Sequence, residues 1–180
     1  MKQVKAIAAA GRLGRWIDRG GIIFALGIVA ATLILIQEVV LRYVFNSPTQ
    51  WAHETTVFLC ATAFIYGGLY CVARDSHIRV VLIYDALNAR WRRVADVVIS
   101  LFCMVASGFF AWAAWDMVKK SLFRPDGSIH LETSGSAWDP AYPGYLKLFL
   151  FLVLVVMTLQ FLILAYHYAK GDTQQAEDAS

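Results

Sequence analysis

Apolar residues come in four long blocks separated by short polar stretches: Gly21 to Gln37, Thr55 to Ala73, Val97 to Trp115 and Leu148 to Tyr166. Each block holds 17 to 19 residues and contains no Asp, Glu, Lys or Arg. One or two flanking residues bring each to about 20, and at roughly 1.5 Å of rise per residue that length crosses a hydrocarbon core of about 30 Å. Soluble helices can be equally apolar when buried, but four of them in 180 residues would leave almost no solvated surface. The pattern predicts an all-α integral membrane protein. Its four transmembrane helices fall at about 20–44, 52–74, 94–118 and 145–169, within a single membrane domain over 1–170.

The polar stretches carry patterns of their own. Arg12, Arg15 and Arg19 stand at i, i+3 and i+7, with Leu13, Trp16 and Ile17 read as the other side, which predicts an amphipathic interfacial helix on an anionic leaflet. Between the second and third blocks, Tyr84, Leu87, Trp91 and Val94 fall on one helical face and Asp85, Asn88 and Arg92 on another. A second interfacial helix is expected there, over Val80 to Val94. The third loop, Lys119 to Gly144, contains RPDG and then WDPAYPG, turn signals that predict an ordered loop at the membrane interface. Residues 171–180 are polar and expected to be a disordered tail.

The first block is not expected to be a cleaved signal. Its apolar run exceeds the roughly 7–15 residues of such a segment, and Gln37 and Glu38 stand where a small-residue cleavage site would be.

Composition agrees with this picture: 59% of residues are hydrophobic and 16% charged. Eleven Lys and Arg residues fall on the side holding the N-terminus, the second loop and the tail, against five on the other side. The positive-inside rule then places both termini in the cytoplasm. A net charge of +3 reflects that topology and calls for no nucleic-acid partner. Cys60, Cys71 and Cys103 lie within or at the ends of apolar blocks, match no metal spacing and read as packing residues.

Chemistry is sparse. No Asp, Glu, Lys or Arg and no proline interrupts the four blocks, so the chain has no evident ion or substrate path of its own. Thr32, Thr62, Ser107, Thr158 and Gln160 read as helix-packing polar residues, as do the small pairs Gly27/Ala31, Ala63/Gly67 and Ser107/Ala111. A self-sufficient channel or carrier would need polar midplane residues that are missing here, unless the chain oligomerises around a pore. Catalytic motifs are absent, so no enzyme is expected. His77 and His167 fall near the same ends of spans two and four, which leaves open a cytochrome b-type membrane anchor of a respiratory enzyme with haem between them.

The hairpin RYVFNSPTQWAHE stands out against this quiet background. Arg42 closes the first span, four residues after Glu38 in the favourable order for an ion pair. Pro48 turns the chain, and Trp51 and Glu54 open the second span one helical turn apart.

With FIYGGLYCVARDSHIRVVLI following, the hairpin resembles the small permease subunit of tripartite ATP-independent periplasmic (TRAP) transporters, the DctQ-like family. The family's positions correspond here to Arg42, Trp51, Glu54, Gly67, Gly68, Arg74, His77 and Ile78, and WDPAYPGYLKLFLFLVLVVMTLQF resembles its approach to span four. Where many members carry an Asp after the His-Ile pair, this chain has Val81.

The resemblance implies a non-catalytic scaffold in the bacterial or archaeal inner membrane. It would be packed against a large permease subunit that holds the substrate and sodium sites, and would serve uptake of an organic acid delivered by a periplasmic binding protein. No cofactor is implied in this chain, and lipids surround it. Arg42, Trp51 and Glu54 would then fix the first hairpin and its subunit contact, with Arg74 and His77 acting at the opposite end. Asn46, Ser47, Pro48, Trp138 and Tyr142 would be available to the binding protein.

Overall fold

The computed structural model describes residues 10–74, 88–124 and 126–170, apart from the side chain of Ala89. They form four helices: α1 (Gly11–Tyr43), α2 (Trp51–Ala73), α3 (Ala89–Leu122) and α4 (Tyr142–Lys170). All four are long and apolar enough to cross a membrane. Among the described residues there is no strand, only an isolated bridge between Phe123 and Ile129 in the third loop.

Each apolar block lies inside one helix, as expected, but α1 and α3 extend well beyond the blocks. The 33 residues of α1 make a rod about 50 Å long. Residues 11–19 are its first turns, so the basic segment does not form a separate interfacial helix. Trp16 also departs from the expectation: it is 72% exposed, while Ala10, Gly14 and Ile17 are buried. Standing four residues after Arg12 and three before Arg19, it lies beside the arginines on the outer face. Residues 89–94 are likewise the first turns of α3; the remainder of the second expected interfacial helix, 80–87, lies outside the described residues.

The chain divides into two compact units. One comprises Met1–Arg19, Gly68–Phe110 and Leu154–Ser180. Its core is Val72 of α2 with Phe161, Leu164 and Tyr168 of α4, backed by Val97, Cys103 and Met104 of α3 and by Met157. Two polar ties accompany it. The Thr158 and Ser107 hydroxyls lie 3.1 Å apart between α4 and α3. Gln160, fully buried, donates its amide nitrogen to the Ala10 carbonyl at 3.2 Å.

The second unit comprises Gly20–Gly67 and Ala111–Val153. Here Phe24 of α1 stacks on Tyr66 of α2 at 4.1 Å between ring centroids and meets Phe149 of α4 at 5.6 Å. A Cβ at Gly27 would make only an ordinary contact with Leu59 of α2, at 3.9 Å, so the packing of α1 on α2 does not depend on glycine there. Gly67 faces open space instead, so its small size is not used against the described residues. Thr32 and Thr62 turn their hydroxyls back to the carbonyls of Ile28 and Leu59 on their own helices. Both are thereby satisfied without a partner helix. The three cysteines are free thiols, each half-buried.

Candidate functional site

The first hairpin is organised by a residue the sequence marked only as half of an ion pair. Glu38, one turn before the end of α1, is 7% exposed. Its Oε1 accepts from Arg42 Nη2 at 2.8 Å and Nε at 3.3 Å. The chain then leaves the helix and turns back onto the same carboxylate. The Thr49 backbone N–H donates to Oε2 at 3.1 Å, and the Thr49 hydroxyl donates to Oε2 as well.

Local backbone makes this return possible. Asn46 adopts φ 51°, a left-handed conformation that Asn tolerates better than most residues and that commonly ends a helix. The Ser47 N–H then closes back to the Leu41 carbonyl at 3.0 Å. Asn46, Ser47 and Pro48 are exposed at the tip.

Glu54 serves a different contact. It stands in the first turn of α2, and its Oε1 accepts from the Ser134 hydroxyl in the third loop at 3.2 Å. Ser134 has one hydroxyl proton, so the neighbouring Ser136 hydroxyl at 3.1 Å must donate to Ser134. Ser136 in turn accepts from the Trp138 and Asp139 backbone N–H groups. Asp139, at φ 48°, closes the turn by accepting from the Gly135 N–H at 2.8 Å.

Tyr142 anchors the far end of this loop. Its ring stacks on Phe58 of α2 at 4.4 Å, its hydroxyl lies 3.4 Å from that of Thr55, and Trp138 meets it edge-on at 5.5 Å. Glu132 pairs with Lys147 of α4. That hydrogen bond holds the Glu132 carboxyl below the usual carboxylate range. Gly144 sits so close to the loop that a Cβ there would meet Leu131 at 3.0 Å and the Glu132 carbonyl at 3.2 Å.

Arg42 and Glu54, expected to fix the first hairpin together with Trp51, are thus engaged by Glu38 and Ser134 respectively, and Trp51 is half-buried at the start of α2. Trp138 is exposed, whereas Tyr142 is half-buried against α2. Arg74, at the other end of α2, pairs with Asp18 of α1 at 2.6 Å and lies 4.4 Å over the Tyr70 ring. Asp18 gave no signal in the sequence, since it lies among three arginines of its own segment. A Cβ at Gly68 would come into ordinary contact with Met157 of α4, at 3.6 Å. His77 and Ile78 lie outside the described residues. Among the described residues, no group of three or more His, Cys, Asp or Glu could hold a metal ion.

The site is therefore a pair of tied loops carrying no reactive constellation. The sequence model of the family described as "Tripartite ATP-independent periplasmic transporters, DctQ component" matches residues 31–171. The chain belongs to the DctQ family. A curated relative, the C4-dicarboxylate TRAP transporter small permease protein DctQ of Vibrio cholerae, is 32% identical over 87 residues. That alignment covers 48% of this chain and 38% of the relative. As a DctQ component the chain is a multi-pass, non-enzymatic part of a membrane transporter. Nothing in these matches supports the cytochrome b reading.

Proposed function

We propose that this DctQ chain is the small membrane subunit of a sodium-coupled TRAP transporter for organic acids. It scaffolds a large permease subunit that carries the substrate and sodium sites and takes its cargo from a periplasmic binding protein. The C4-dicarboxylates in the relative's name are one such class of cargo. Family membership together with four charge-free apolar blocks carries the reading. A subunit that moved ions itself would need ionisable groups at depth. The polar groups that hold the loops here, Glu38, Arg42, Glu54 and Ser134, bind other parts of the same chain.

In this reading both termini are cytoplasmic, by the Lys and Arg asymmetry. The tied loops then face the periplasm, where Asn46, Ser47, Pro48 and Trp138 are open to the binding protein. Arg42, Trp51 and Glu54 fix the surface that meets the large subunit.

The test is a mild-detergent pull-down of the tagged chain with its co-expressed partners, with an absorption spectrum of the same sample. A colourless sample carrying one much larger polytopic protein is expected, with recovery reduced by Trp51→Ala, Glu54→Ala. Undiminished recovery and uptake in that double variant would remove the interface assignment. A Soret band with soluble redox subunits would overturn the transporter reading itself.

A further inference from the structure

The outer face of the first turns of α1 carries three guanidinium groups that meet no carboxylate among the described residues. Arg12, Arg15 and Arg19 are all exposed, and no ion pair or hydrogen bond engages them among the described residues. The one acidic side chain in the segment, Asp18, is held by Arg74 at 2.6 Å. At 100° per residue, Asp18 projects away from the arginine face. Arg12, Arg15, Arg19 and Trp16 share an arc of about 100°, opposite buried Ala10, Gly14 and Ile17.

Trp16 is 72% exposed in the middle of this arc. So large an apolar ring gains nothing from water, but an amphipathic indole among cations suits the headgroup level of a bilayer. Depth agrees. Arg19, Trp16, Arg15 and Arg12 precede the charge-free block at Gly21 by 2, 5, 6 and 9 residues. At 1.5 Å per residue that is about 3–14 Å: Arg19, Trp16 and Arg15 lie at the level of the roughly 5–8 Å headgroup layer on each side of the hydrocarbon, and Arg12 stands just outside it.

We infer that Arg12, Arg15, Trp16 and Arg19 form a headgroup-selective seat for an anionic phospholipid. The guanidinium groups bind its phosphate and Trp16 packs beside them at the headgroup level. Charge complementarity selects the occupant: with Asp18 engaged elsewhere, a zwitterionic headgroup adds no net charge against the three cations, whereas an anionic one adds a negative charge. The seat requires that the chain span a membrane and is independent of which large subunit it joins.

The probe is phosphatidylcholine vesicles holding the full-length chain and a small fraction of brominated lipid, either phosphatidylglycerol or phosphatidylcholine. The Trp16 signal is the fluorescence difference between wild type and Trp16→Phe. Near an anionic surface each basic residue is worth roughly fivefold in binding, so Trp16 should prefer brominated phosphatidylglycerol by about tenfold or more. Arg12→Gln, Arg15→Gln, Arg19→Gln together should bring the preference to within about twofold of none, while the corresponding triple Lys variant keeps most of it. In wild type the preference should also collapse at about 1 M salt, where the screening length is about 3 Å; this readout stands even if a variant fails to fold. Equal quenching by both lipids in wild type, or a preference that survives the triple Gln change or high salt, would overturn the seat.

Discussion

Replacing Gly20 by alanine sets two magnitudes of opposite sign against each other. Helix propensity alone favours the change by about 1 kcal/mol. Packing opposes it, because a Cβ at Gly20 would overlap the Tyr66 hydroxyl and come within 2.9 Å of its Cζ. Tyr66 cannot simply step aside: its ring is stacked at 4.1 Å on Phe24, which itself meets Phe149. Overpacking of this kind costs about 1–3 kcal/mol, which on balance exceeds the propensity gain.

Gly20→Ala should therefore destabilise the chain, by up to about 2 kcal/mol. In a detergent thermal-shift or fluorescence size-exclusion assay that is a lower Tm, by roughly 2–4 °C per kcal/mol. Tyr66→Phe removes the nearest atom but leaves the ring, so the penalty should shrink without vanishing. The coupling in that double-mutant cycle should reach at least about 0.5 kcal/mol. An unchanged or raised Tm for Gly20→Ala, or the same penalty in the Tyr66→Phe background, would refute the packing argument.

Other outcomes follow from the ties already described. Glu38→Gln removes the charge that holds Arg42 and the returning Thr49, and limited proteolysis within 44–50 should speed up several-fold; Thr49→Val should show a smaller effect in the same direction. Gln160→Ala loses a buried hydrogen bond and leaves a void, costing about 2–4 kcal/mol, whereas Gln160→Leu keeps most of the volume and should cost about 1 kcal/mol, read as Tm in one detergent. Because Lys147 lowers the Glu132 carboxyl from its ordinary 4.5, the pair's stabilisation is full above that pH and fades as pH falls through the lower native value. The stability difference between wild type and Lys147→Met should accordingly be constant near neutrality and shrink in acid.

Much of the fold was legible because its governing rules are local. A charge-free run of about 20 residues has few homes other than a bilayer, and all four blocks lie in helices of suitable length. The Glu38–Arg42 pair was legible for the same reason, since helix geometry fixes an i,i+4 neighbour. Polar patterning misled where a period was read without its neighbours. Trp16 looked like the buried side of a surface helix because it is apolar, yet the face that packs inward is the one with Ala10, Gly14 and Ile17.

The sequence by itself determined the membrane class, the number of spans, the family and the position of the unusual hairpin. The tertiary structure decided which side chains meet. Thr49 reaches Glu38 across 11 residues, Asp18 reaches Arg74 across 56, Ser134 reaches Glu54 across 80 and Gln160 reaches Ala10 across 150. No periodicity links such positions, because each contact depends on how helices and loops close on one another. It is also why Glu54, grouped in sequence with Arg42, holds the third loop, while Glu38, first read as one end of a helical pair, organises the first.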